Sequence, residues 1–339
     1  MVNVLTRKAR KGAGRIWGTI RHANERVANA IDAQQHPPAS PHEPVRRAIG
    51  FLRREVRDGG LLVYAGGRLS YPEVTGYTIP TALQLQEARW AQRAGAYLLN
   101  RQLPDGSFGD PDYNLPYAFD TGQALRGLVT LSRSQEEYVE PARQAADWLV
   151  RQVDESGRLG TPTQSLWSLQ NGSRIPETIH LYVAPALRGA AAALKSDGYR
   201  QAAEAITDYY LNQWSGRFDT LSHCYGYILE ALIDMDRLDE ARAGLGDAER
   251  IQRDDGSVAG WPGEEWICST GLAQLSICWS KLGRSERAHR ALSYLLPFQR
   301  ASGGFLGSWG PGAWYLPDKE IGWAVKFFLD AWNWKEKSV

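Results

Sequence analysis

The sequence predicts an all-α protein built as an (α/α)6 toroid, a double ring of six outer and six inner helices. Three observations predict it. A Gln-x3-Gly motif and looser copies of it recur along the chain, and the turn glycines at 106, 157, 216, 256 and 303 lie 40 to 59 residues apart. Each copy closes a half-polar helix pattern and is followed by a second run that is apolar on most sides, as outer and buried helices require. Strand-like alternation is scarce.

The segment before residue 44 is set apart. Residues 1–31 carry Arg7, Lys8, Arg10, Lys11, Arg15, Arg21 and Arg26 against the single acid Glu25. "QQHPPASPHEP" (34–44) is a Pro-rich linker, so a basic extension over 1–43 and a toroid domain over 44–339 are expected. Six pairs then follow. "FLRREVRDGGLLVYAGG" (51–67) is a degenerate first copy, and "PEVTGYTIPTALQL" is the buried helix after it. "AYLLNRQLPDGSFG" (96–109) and "SYLLPFQRASGGFLG" (293–307) are the closest copies, leading to "AFDTGQALRGLVTL" and "DKEIGWAVKFFLDAW". Looser copies at 147–160, 209–220 and 248–260 lead to "PETIHLYVAPALRGAAAAL", "SHCYGYILEALIDM" and "EEWICSTGLAQLSICW".

Composition narrows the function. A net charge of +1 gives no whole-molecule case for nucleic acid. No run approaches the roughly 18 apolar residues of a membrane span, and residues 1–31 lack the apolar core of a secretory leader. The basic extension instead suits weak peripheral contact with anionic lipid or a partner, or else a solvated tail. Cys224, Cys268 and Cys278 form no CxxC pair, which favours reduced thiols in a cytoplasmic setting. No phosphate-binding glycine loop, GxSxG elbow or HExxH motif is present. The 13 Trp and 15 Tyr suit a large core, and equally a cleft that stacks on sugars or shelters an apolar ligand.

In a closed ring the inner helices run parallel and their N-termini share one rim. Glu73, Asp120, Glu177, His180, His223, Tyr225 and Glu265 are therefore candidate catalytic residues. Tyr77, Tyr182, Tyr227, Trp266, Glu320 and Trp323 are candidate substrate contacts, with Arg174 and Arg217 in the loops as partners for a uronate. Acids also favour helix N-termini for dipole reasons alone, so the acids by themselves do not decide between caps and a site.

The repeated Gln-x3-Gly-x-aromatic copies resemble the repeat of squalene/hopene cyclases and of protein prenyltransferase β subunits, over about residues 50–334. That resemblance implies the toroid. It does not extend to the chemistry: the DxDD acid motif of such cyclases is missing, and Cys268, Cys224 and His223 lack the spacing of the prenyltransferase zinc site. Neither a metal nor a cofactor is expected. The chain also resembles (α/α)6 carbohydrate-active enzymes, and "YPEVTGY" is similar to segments of bacterial toroid proteins of surface-polysaccharide pathways. This implies an oligo- or polysaccharide partner, with hydrolase, lyase or C5-epimerase chemistry on a glycan that can contain uronate. An isoprenoid-handling toroid and a non-catalytic glycan-binding scaffold are the alternatives.

Overall fold

The computed structural model describes residues 42–110, 115–162, 168–169 and 171–337, so the basic segment 1–31 and most of the Pro-rich linker lie outside the described residues. Among the described residues the outer helices are α1 (Glu43–Arg54), α3 (Ala88–Arg101), α5 (Val139–Arg151), α7 (Asp197–Gln213), α9 (Leu238–Ile251) and α11 (Ser285–Leu295). The inner helices are α2 (Pro72–Gln84), α4 (Ala118–Ser132), α6 (Ala184–Leu194), α8 (Ser222–Asp234), α10 (Ser269–Lys281) and α12 (Gly322–Lys337). Inner helices pack on their neighbours around the ring, and α12 returns to α2. The expected α/α toroid is what these residues build.

Side-chain pattern decides which helix lies inside. Helix α3 buries one stripe, including Trp90, Ala94, Tyr97 and Leu98, and leaves its polar face to solvent. Helix α10 buries every residue from Ser269 to Ser280. Inner helices must also approach closely. A Cβ on Gly76 of α2 would stand 2.4 Å from the Gln123 carbonyl oxygen of α4, so only glycine fits that crossing.

The recurrent glutamine joins one pair to the next. Gln102 Nε2 donates to the Gly106 carbonyl of its own turn at 3.0 Å and to the Pro141 carbonyl of α5 at 2.8 Å. Gln252 spans Gly256 and Arg287 in the same way, at 3.2 and 3.0 Å. Gln299 donates to Gly303 at 3.1 Å and to Pro44 at 2.8 Å, so the last turn clasps the first outer helix and closes the ring. The turn glycine is fixed by two constraints. Gly303 has φ +88°, and a Cβ there would lie 2.1 Å from the Arg47 carbonyl oxygen of α1.

The structure departs from the sequence expectation where loops pair. The degenerate first copy forms a hairpin, β1 (Val56–Arg57) and β2 (Gly60–Leu61), turned by Asp58 and Gly59 with φ of 53° and 91°. Strand β3 (Ile267–Cys268) pairs antiparallel with β4 (Ser308–Trp309). Its pairing holds "EEWIC" extended, and α10 begins only at Ser269. Glu320 bridges to Leu306, so α12 begins at Gly322. Glu177–Val183 winds as a 3-10 segment ahead of α6. The polar residues of these three segments therefore do not enter the rim as first-turn helical residues.

Two alanine substitutions at equivalent motif positions separate the turn constraint from the clasp. Gly216 also has positive φ, +71°, but nothing lies within 4 Å of a Cβ there. Gly216→Ala should cost about 1–2 kcal/mol, the left-handed penalty alone. Gly303→Ala adds overlap with a backbone carbonyl and should cost about 3 kcal/mol or more. Denaturant titration of both variants measures the difference.

Candidate active site

The first turns of the inner helices and the loops before them enclose a cavity of about 210 Å³. Seven aromatic rings line it, those of Tyr71, Tyr77, Tyr117, Phe119, Tyr227, Tyr315 and Trp323, together with Glu73, Asp120, His223 and Cys224. Helical spacing supplies two pairs of these walls. Glu73 and Tyr77 are four residues apart on α2, and His223 and Tyr227 are four apart on α8 with ring centroids 4.3 Å from each other.

Glu73 and Asp120 form an acidic pair. The Tyr71 hydroxyl donates to Asp120 Oδ2 at 2.9 Å, and the Tyr227 hydroxyl lies 3.4 Å from Glu73 Oε1. Asp120 Oδ1 is buried without a hydrogen-bond partner among the described residues. Burial pushes Glu73 up to about 8, against the relief given by Tyr227 and Tyr71. Asp120 is held well above the usual carboxylate range by burial and by the neighbouring Glu73 charge. The pair therefore keeps at least one proton near neutrality.

His223 has one defined tautomer. Gln274 Nε2 donates to Glu230 Oε1 at 2.9 Å, which turns the Gln274 carbonyl oxygen to His223 Nδ1 at 2.6 Å. Nδ1 must carry the proton, and Nε2 is left as an acceptor. Burial lowers the imidazole to about 4, so it is neutral at pH 7. Beneath the rings the charges are paired. Lys326 meets Asp330 at 2.9 Å, and Lys281 meets Asp234 at 2.5 Å. Lys326 Nζ also lies 3.6 Å from the Phe327 ring centroid.

The structure brings together Glu73, Asp120, His223, Tyr77, Tyr227 and Trp323 and places the other predicted site residues elsewhere. Glu177 is held at the outer ring by Arg158 at 2.6 Å and by the Tyr210 hydroxyl at 3.1 Å; although burial alone would raise it, these contacts bring its pKa below the ordinary value. His180 is buried behind the wall, 3.2 Å from the Tyr210 hydroxyl and edge-on to Tyr117. Tyr225 turns away from the cavity and donates to the Gly244 carbonyl of α9 at 2.6 Å. Tyr182 stacks behind Phe119, and the Arg126 guanidinium lies over the Tyr182 ring at 4.5 Å. Glu265 is exposed because β3 carries it out of the rim, while Trp266 is fully buried against Trp314. Glu320 accepts from Ser302 within the last repeat turn. Arg174 and Arg217 are exposed in loops, Arg174 next to the lining residue Ile175.

Tyr71, Tyr117, Phe119, Tyr315, Gln274 and Glu230 are the contributors that sequence reasoning missed. A signal existed for two of them: Tyr71 and Tyr117 each occupy the N-cap position of an inner helix, just ahead of Glu73 and Asp120. Glu230 and Gln274 are also readable as isolated polar residues inside the most apolar helices. Tyr315 arrives from a loop with no periodic signal.

No protein-family model matches the chain, and no curated protein matches it. Solved structures do. An alpha-amylase from Clostridium perfringens superposes with a TM-score of 0.64 at 12% identity, covering 88% of this chain and 99% of the other. The unsaturated glucuronyl hydrolase of Bacillus sp. GL1, responsible for degradation of glycosaminoglycan, gives 0.63 at 16%, covering 85% and 94%. A protein from Actinoplanes gives 0.61 at 18%, covering 88% and 100%. At these identities the likeness establishes the toroid fold.

The site makes stability depend on pH in two opposed ways. Glu73 binds its proton more tightly folded, at about 8, than at its ordinary 4.5, so its contribution is full below pH 4.5 and is lost as pH rises through about 8. His223 and His180 fall from 6.5 to about 4 on folding, so their contribution is full above 6.5 and is lost as pH falls towards 4. Glu73→Gln should therefore raise thermal stability at alkaline pH, by an amount on the order of a few kcal/mol, and change it little in acid. Melting curves across the pH range test both limbs.

Proposed function

We propose that this toroid, starting near Pro44, is a glycoside hydrolase acting on an oligo- or polysaccharide. The observation that carries this is the carboxyl pair of buried Asp120 and half-buried Glu73, in one aromatic cavity and holding a proton at neutral pH. A protonated carboxyl donates to the glycosidic oxygen as the bond to the anomeric carbon breaks. The second carboxylate, or His223 through its free Nε2, takes a proton from the incoming water. Positive charge developing on the sugar ring is met by aromatic faces and by the remaining carboxylate. Glycosidase and hydrolase toroids among the similar structures support the same chemistry.

Elimination and C5 epimerisation fit less well. Both build negative charge beside a uronate carboxylate, and no Lys or Arg lines the cavity among the described residues. One observation favours a second reading: seven aromatic rings and a buried acid also suit protonation of an isoprenoid. A prenyl diphosphate would nonetheless find no lining cation for its phosphates.

Release of sugar from glycan libraries, followed by chromatography, is the direct assay. Glu73→Gln and Asp120→Asn should each lower kcat/KM by about 100-fold or more. Gln274→Leu should lower activity and change its pH profile, because it frees the imidazole to take the other tautomer. Glu265→Gln, outside the cavity, should leave activity within about two-fold of the parent. Activity surviving loss of both carboxyls refutes the assignment.

The basic segment 1–31 is proposed to add weak, salt-sensitive contact with anionic membranes, at about 1 kcal/mol or less per basic residue near the surface. Co-sedimentation with anionic vesicles should fall on deleting residues 1–35, and unchanged binding refutes the contact.

A further inference from the structure

We propose that the cavity selects a sugar unit without negative charge and prefers a free amino sugar, whose protonated amine docks between Glu73, Asp120 and His223. The proposal rests on the carbohydrate reading of the same site and adds the charge class of the unit that enters it.

Acceptors dominate the polar wall. Glu73 and Asp120 offer carboxyl oxygens, and Asp120 Oδ1 is fully buried with no partner among the described residues. Gln274 fixes His223 as the Nδ1–H tautomer, so the ring has only a lone pair left to offer. An ammonium group has three N–H donors; on binding it displaces the carboxyl proton to solvent, and Glu73, Asp120 and His223 Nε2 then supply three acceptors. Tyr77 and Tyr227 add aromatic faces to the same wall, which attract a cation further.

An anion meets the reverse situation. No Lys or Arg lines the cavity among the described residues, and Lys326 and Arg126 behind its walls are already engaged. Lys326 is paired with Asp330 at 2.9 Å below the aromatic floor. Arg126 lies over the Tyr182 ring at 4.5 Å and donates to the Tyr182 carbonyl at 3.1 Å. A uronate in this cavity would be an unpaired buried charge beside two carboxyls, which disfavours its entry. Where the glycan carries uronates, they belong to units outside the cavity, on the side of the exposed Arg174.

Binding of four methyl glycosides to the full chain tests this: glucosaminide, glucoside, N-acetylglucosaminide and glucuronide, by calorimetry at about pH 6, below the ordinary amine range. The glucosaminide should bind about ten-fold tighter than the glucoside, and the glucuronide weakest. Asp120→Asn and Glu73→Gln should each reduce the preference for the amine. A glucuronide bound as well as the glucoside, or an amine with no advantage, overturns the proposal. Methylammonium and acetate serve as probes that do not depend on a sugar. Saturable methylammonium binding without any glycoside binding sustains the charge preference and defeats the carbohydrate reading. Absence of both defeats both.

Discussion

The architecture depends on a glutamine amide that spans its own turn and the first turn of the next outer helix. Each such clasp fixes one outer helix against the next through backbone carbonyls, so the step between those pairs is set by hydrogen-bond geometry. Gln102 and Gln252 set interior steps, and Gln299 sets the closing step onto Pro44. Buried amide donors are costly to leave unpaired, which makes each clasp more consequential than its net contribution of about 1 kcal/mol. Other copies depart from this clasp: the first has no glutamine in its turn, and Gln213 of the fourth is exposed. Gln152 turns back to the Trp148 carbonyl at 3.2 Å instead of crossing to the next pair. Residues after that relaxed turn, among them Leu169 and Ile175, form part of the cavity wall. One of the relaxed steps thus borders the cavity.

Ring closure also explains why so many ionisable groups are buried. Inner-helix side chains face one axis, and whatever polar residue the helix carries there is withdrawn from water. Below the cavity this is offset by pairing: Lys326 with Asp330, Lys281 with Asp234, and Thr81 Oγ1 donating to Asp330 at 2.7 Å. In the cavity the acids have no cation. Glu73 and Asp120 receive only hydroxyl donors, and burial is answered by proton uptake rather than by charge pairing. Paired buried charges read as framework, whereas unpaired acids beside open volume read as a site.

The sequence revealed the ring because repetition and apolar periodicity are local patterns, visible without knowing which helices touch. It revealed Glu73, Asp120 and His223 for a related reason, since residues at the same point of successive inner helices must share a rim. Glu265 and Glu320 looked equivalent by that logic. Their segments are instead held extended by bridges to Ser308–Trp309 and Leu306, partners that no local pattern discloses. Glu177 failed for another reason, because Arg158 from the preceding turn captured its carboxylate. Tyr225 was misplaced by rotation alone: it lies two residues from His223 on α8, about 200° around the helix, and so faces the outer ring. Which side of a buried helix faces the axis is decided by packing on both flanks.

The network behind His223 determines which groups can move a proton. Glu230 anchors Gln274, and Gln274 anchors the imidazole, a chain that by itself would favour protonation of the ring. Burial opposes it most strongly and lowers the proton affinity of His223, with a smaller contribution from the Lys326 charge, which also offsets the burial of Glu230. Burial, helped by the lysine beneath the aromatic floor, thus keeps the imidazole neutral. In the proposed reaction, proton donation therefore falls to Glu73 and Asp120, and proton acceptance to His223 Nε2 across the same 210 Å³ cavity. Acid and base are separated by their surroundings and not by residue type, which is the arrangement that lets opposed proton transfers run at a single pH.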